Sequence, residues 1–307
     1  MAGKLKFNFW RDLTDEIKAR LDKMKYLIPS DLDLTDGKTK SLPDYARAEK
    51  LFKHYCSVVA RRIPILSYKV HISDFIKLDS AKNKQCELFN IAFSCGKDVN
   101  SLITNKAKKV RQFKQENLDH MLSEWGIYHF HFDEGRTADL LFVYINENSA
   151  YFLDVLPHGH DLDDVDVWCN KYLVEVMHLN WPEVIKRFVY VNRADVELIP
   201  DCSISRKNAR GENANSFVYM TDGTTYLPIG GGFAADGASI KIMRCVTQMM
   251  SNIKEAGLDV VDACESIRRQ LNLLESDDLK LKMLFDDDME LCIYNKKRNV
   301  RLKLCRV

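Results

Sequence analysis

Four of the chain's eight histidines fall between Trp125 and Asp161, as two His-x-His pairs, His129/His131 and His158/His160. Imidazole gains or loses a proton near neutral pH and is also a common metal ligand, so this concentration marks a candidate site. The run IYHFHF around the first pair reads as a strand, whose two-residue period sends both imidazoles out of one face. Ile127 shares that face. Tyr128, Phe130 and Phe132 occupy the other and read as core, which makes the histidine face the expected solvent or cleft side. Arg136 follows in the next link, and Tyr144 falls on the neighbouring expected strand. Two histidines, an arginine and a tyrosine suffice for metal-free cleavage of RNA. One imidazole removes the 2′-OH proton, the other protonates the leaving 5′-oxygen, and the guanidinium stabilises charge on phosphorus. Packed or solvated strand histidines are the competing reading of the same residues.

The second pair, His158 and His160, lies in the loop sequence PHGHD after another apolar strand. Together with the first pair and Asp154, Asp161 or Asp163 it could hold a divalent cation, as in a metal-dependent hydrolase, although the spacing matches no zinc signature. A third candidate is IGGGFAADG, in which Gly230, Gly231 and Gly232 precede an expected helix. Helix N-termini favour anions and glycines let phosphate approach closely, so this is a candidate phosphate-binding turn assisted by Lys241 and Arg244. It is neither GxGxxG nor a P-loop, and Asp236 as a simple N-cap is the alternative. No GxSxG, no HExxH and no cysteine beside an activating histidine is present, and no cofactor is expected.

Helices and strands must position these groups. Helical spacing is read over residues 9–27, from Asp44 to about Arg62, over 81–95 and over 98–124, with a strand at 65–72. The period then changes from 3.6 to 2: Ile127–Phe132, Leu140–Ile145 and Tyr151–Leu156 read as a three-stranded meander. A helix follows to about Asn180, ended or bent at Trp181-Pro182, and Asp222-Gly223 marks a hairpin. Two more helices and three strands complete the chain, with Lys296, Lys297 and Arg298 at the last turn. The pattern predicts an α+β protein: a helical N-terminal part (1–98), a central antiparallel meander with the histidine cluster (99–192) and a C-terminal α+β part with the glycine loop (193–307).

Composition narrows the class. Apolar residues make up 46% of the 307, enough for a true core. Nine cysteines, none in a CxxC pair, read as reduced thiols of a cytoplasmic protein. No apolar run is long enough to span a membrane, and the first residues lack the apolar core of a secretion signal. Net charge is +1 but unevenly spread. Residues 1–120 carry 24 Lys/Arg against 15 Asp/Glu, whereas residues 121–180 carry 2 against 11. The split predicts either internal docking of basic on acidic parts or two faces with different partners.

A basic helix leading into three antiparallel strands, with an arginine in the first link, LLFVYI as the second strand and YFLDVLPHGH around the third, resembles the core of the RelE/ParE-type toxins. The likeness covers roughly residues 100–160. It implies a toxin- or phage-defence-like ribonuclease with His129, His131, Arg136 and Tyr144 as catalytic candidates. RNA or the ribosome would be the target, and an antitoxin or other protein the partner. The alternatives are a non-enzymatic interaction module whose acidic middle docks a basic partner, and the metal-dependent hydrolase already described.

Overall fold

The computed structural model describes residues 3–24, 43–103, 119, 121–135, 137–157, 171–191, 217–234, 238–286 and 290–305. In chain order its main elements are β1 (Leu5–Lys6), α1 (Phe9–Lys23), α2 (Asp44–Ala60), β2 (Lys69–Ile72), α3 (Asp74–Lys77) and α4 (Ser80–Ser94). A single π-helical turn (Met121–Trp125) leads into β3 (Ile127–His131), β4 (Asp139–Asn146) and β5 (Ser149–Pro157). Then come α5 (Tyr172–Asn180), α6 (Pro182–Ile185), β6 (Val218–Tyr219), β7 (Thr225–Tyr226), α7 (Ile240–Asp262) and α8 (Cys264–Gln270). The chain closes with β8 (Leu279–Lys280), β9 (Lys282–Phe285), β10 (Leu291–Asn295) and β11 (Val300–Cys305). The protein is α+β, as the alternation of periods predicts.

Two compact units are formed, where the sequence reading divides the chain into three. One is built from both ends, within Met1–Val59 and Ile242–Val307, and the other from the middle, within Ala60–Ala107 and Lys114–Lys241. Cutting the chain at changes of period misses this because the deciding contact is remote: β1 pairs in parallel with β8, tying the two ends into one core.

In the terminal unit, Asn8 caps α1 by accepting the Arg11 N–H at 3.2 Å, and Leu13, Ile17 and Leu21 form its buried stripe. The helix packs on the antiparallel sheet β9-β10-β11. Arg20 donates to the Phe285 and Asp286 carbonyls at 3.1 and 2.9 Å, and the Met283 N–H donates to the Asp12 carboxylate at 3.2 Å. Val260 of α7 and Ile267 of α8 join Leu279, Leu281 and Ile293 in a second cluster.

The middle unit is organised by a four-stranded sheet in the order β2-β5-β4-β3. The meander β3-β4-β5 is antiparallel as expected, and β2 adds in parallel beside β5. One face carries Ile127, Leu140, Phe142, Tyr144, Tyr151 and Leu153 under α5, α6 and the β6–β7 hairpin. The other carries Phe130, Leu141, Val143, Ala150 and Phe152 under α3 and α4. This corrects the expectation of one core face and one solvent face. Strands covered on both sides read as continuous apolar runs, and LLFVYI is such a run.

Candidate functional site

His129 and His131 leave β3 on the same face, as the strand period requires, but that face is the one covered by α5. His131 is 5% exposed and stands opposite Leu140. His129 lies opposite Phe142, with ring centroids 6.2 Å apart, and keeps about a fifth of its side chain exposed. Its Nδ1 is 3.8 Å from Asp119 Oδ2, while the other carboxylate oxygen of Asp119 accepts the Leu122 N–H at 3.0 Å. The ring of His129 thus faces a carboxylate that is itself held by the π-helical turn.

Tyr144 is buried opposite Ile127, beside the Arg187 guanidinium. Burial pushes its phenol pKa up, and the Arg187 guanidinium opposes that shift. In register terms Tyr144 and His131 are four residues apart along the sheet, roughly 14 Å at about 3.4 Å per residue, with His129 between them. Acid and base must each lie within hydrogen-bond reach of the reacting phosphate. The structure therefore brings His129 near each of the others without bringing His131 and Tyr144 together. Arg136, His158 and His160 lie outside the described residues. Among the described residues no group of three or more His, Cys, Asp or Glu is arranged to hold a metal.

The glycine loop is put to a different use from the one its sequence suggests. Gly230 N–H donates to the Glu124 carbonyl at 2.6 Å, Gly232 N–H to the Ser123 carbonyl at 3.0 Å and Gly231 N–H to Pro228 at 3.0 Å. All three donors that would cradle a phosphate are directed at carbonyls, two of them the orphan acceptors at the end of the π-helical turn. Gly232 in turn accepts the N–H of Ile240 at the start of α7. This corrects the phosphate-binding reading of Gly230, Gly231 and Gly232: their role in the fold is to cap a helical end at close approach. Lys241 and Arg244 are both exposed on α7.

Three polar constellations escape a linear reading. Asp154 is 1% exposed and accepts from Lys82 Nζ at 2.7 Å, Tyr172 O–H at 2.7 Å and the Val155 N–H at 2.8 Å. His178 links a buried phenol to a surface carboxylate, with Tyr226 O–H at 2.9 Å from Nδ1 and Asp222 Oδ2 at 3.2 Å from Nε2. Neutral imidazole satisfies both contacts by accepting from Tyr226 and donating to Asp222. The Asp222-Gly223 turn signal locates this hairpin, but nothing in the sequence pairs it with a histidine on α5.

The third constellation is in the terminal unit. Across the sheet, Tyr294 on β10 stands opposite Lys282 on β9 and Arg301 on β11. Both cations are exposed and the tyrosine is half-buried. The β10–β11 turn adds Lys296, Lys297 and Arg298 at one end of the same sheet. At the other end Lys303 pairs with Glu290 at 2.6 Å and Asp286 at 3.4 Å. Net positive charge is therefore gathered around Tyr294 and the turn.

Compared with known protein families, characterised proteins and solved structures, the chain matches none.

Proposed function

We propose that the protein binds RNA through the basic end of its C-terminal sheet and cleaves it without metal, with His129 as the proton-transfer group. The observation that carries the reading is the cross-strand row Lys282–Tyr294–Arg301. Cations on both sides of an aromatic ring give phosphate contacts flanking a stacking surface, which is how single strands are held without base-specific hydrogen bonds. Support for cleavage comes from His129, partly exposed and backed by Asp119, and from the meander on which the resemblance to RelE/ParE-type toxins rests.

Binding is tested by fluorescence anisotropy of a labelled single-stranded RNA over a range of salt. Replacing Lys282 and Arg301 together by Gln is expected to reduce the salt slope by about 1.4, since each phosphate contact on a single strand contributes about 0.7. Tyr294→Ala is expected to weaken binding by about 1–3 kcal/mol while leaving the slope unchanged. Affinity and slope that ignore all three substitutions would sink the RNA reading.

Cleavage is tested on end-labelled RNA in excess chelator. Loss of one general acid–base group predicts a rate for His129→Ala lower by about 10²–10⁴-fold. His131→Ala is expected to show itself first in thermal unfolding, because that ring is buried in the sheet. Equal cleavage by wild type and His129→Ala would remove His129 from the chemistry.

A further inference from the structure

Three sulfur atoms converge in the terminal unit. The Cys56 thiol on α2 points at Met249 Sδ on α7 at 3.8 Å, and the Cys245 thiol points at the same Sδ at 3.9 Å. The Cys245 thiol is also an electrostatic neighbour of the Cys56 thiol. Cys245 and Met249 are four residues apart on α7 and so share a helix face. Cys56 is buried, Met249 half-buried and Cys245 exposed, which leaves the cluster accessible from one side.

Two thiols at 3.8 and 3.9 Å from one shared thioether sulfur have the separations that sulfur donors take around a single cation. With metal–sulfur bonds of about 2.3 Å and the cation in the plane of its donors, sulfur–sulfur separations come to about 4 Å. Thiolates and thioethers are soft donors that select copper(I), whereas structural zinc takes four ligands drawn from cysteine, histidine and carboxylate. We propose that Cys56, Cys245 and Met249 form a three-coordinate site for a soft monovalent cation of the copper(I) class. Binding forms three metal–sulfur bonds and releases one proton from each thiol, so a neutral trio and a +1 ion become a complex of charge −1.

The test is anaerobic titration of the reduced full-length protein with copper(I) against a chromophoric chelator, followed by X-ray absorption of the bound metal. Wild type is expected to take up one tightly held equivalent, coordinated by three sulfurs at about 2.3 Å. Cys245→Ser should lose that equivalent, Met249→Leu should weaken it and drop the sulfur count to two, and Cys95→Ser, on another exposed thiol, should change nothing. Cys245 is a surface position, so circular dichroism of the metal-free variant separates lost binding from lost folding. Retention of the tight equivalent by folded Cys245→Ser overturns the site. So does a nitrogen- or oxygen-dominated metal shell, or a Cys56–Cys245 disulfide in the isolated protein that binds no copper after reduction.

Discussion

Asp154→Ala is expected to destabilise the middle unit by about 3–5 kcal/mol, the range for removing one partner of a buried ion pair. The size follows from where the carboxylate sits. β2 ends at Ile72, paired with Phe152, so β5 runs on past its parallel neighbour and Asp154 is flanked by a strand, β4, on one side only. Between Phe142 and Val143 the β4–β5 register also shifts, which breaks the simple alternation of faces at this point. Asp154 can then reach Lys82 on α4 and Tyr172 at the start of α5, the helices that cover opposite faces of the sheet. Removing it takes the buried acceptor away from a partly exposed ammonium and a half-buried phenol. For a unit of this size the loss corresponds to a Tm lower by roughly 6–20 °C, at about 2–4 °C per kcal/mol. Replacing both charged partners, Asp154→Leu with Lys82→Met, should cost less than the two single changes added together, because neither charge is then left alone. A single-variant loss below about 0.5 kcal/mol, ordinary for a surface position, would show that the pair is solvated and holds nothing.

Asp154 also shows why a sequence of this kind yields its elements more readily than its sites. The meander, the Asp222-Gly223 hairpin, the bend at Trp181-Pro182 and the last three strands are set by local period and turn chemistry, and they lie where those signals put them. Faces are a different matter. HFHF alternates polar with apolar and suggests a half-exposed strand, yet β3 lies in a sheet covered on both sides. What covers this face of the sheet includes α5, some forty residues further on, whose own signal says only that it is amphipathic. The glycine triplet misleads for a related reason. Glycine marks any place where backbone must come close, and the sequence cannot distinguish a phosphate from another segment of the same chain. The pairings that bear most on function, Lys282–Tyr294–Arg301, His178–Asp222 and the three sulfurs, each join residues from separate elements. Spacing along one helix brings Cys245 to Met249, but only the packing of α2 brings Cys56. Of the histidine cluster, His129 alone among the described residues has both partial exposure and an identified carboxylate partner, Asp119, and Asp119 precedes it by ten residues with no motif linking them.

Gly230→Ala is expected to be more harmful than its one added methyl implies. A Cβ at Gly230 would stand 2.5 Å from the Leu122 carbonyl oxygen, 2.6 Å from the Gly126 nitrogen and 2.6 Å from the Ser123 carbonyl oxygen. All three are backbone atoms of the π-helical turn and its exit, so no side chain can swing aside to make room. The loop must back away, and the hydrogen bonds from Gly230 and Gly232 that cap the turn stretch with it. Overpacking costs about 1–3 kcal/mol, and a purely backbone obstruction places this substitution at the upper end. Gly231 is the matched comparison. Its φ of +100° disfavours alanine, but an added Cβ meets only Lys241, its Cβ at 3.7 Å and its backbone nitrogen at 3.9 Å, both ordinary contacts. Gly231→Ala should therefore cost about 1 kcal/mol, from backbone conformation alone. The same pair separates the capping role from phosphate binding. If the loop serves to cap the turn, inorganic phosphate leaves the Tm of wild type unchanged, and denaturant unfolding ranks Gly230→Ala well below Gly231→Ala in stability. A phosphate site would change the first result. Phosphate would raise the wild-type Tm by selective binding to the folded state, and Gly231→Ala, whose added methyl faces Lys241, would abolish the rise without unfolding the protein.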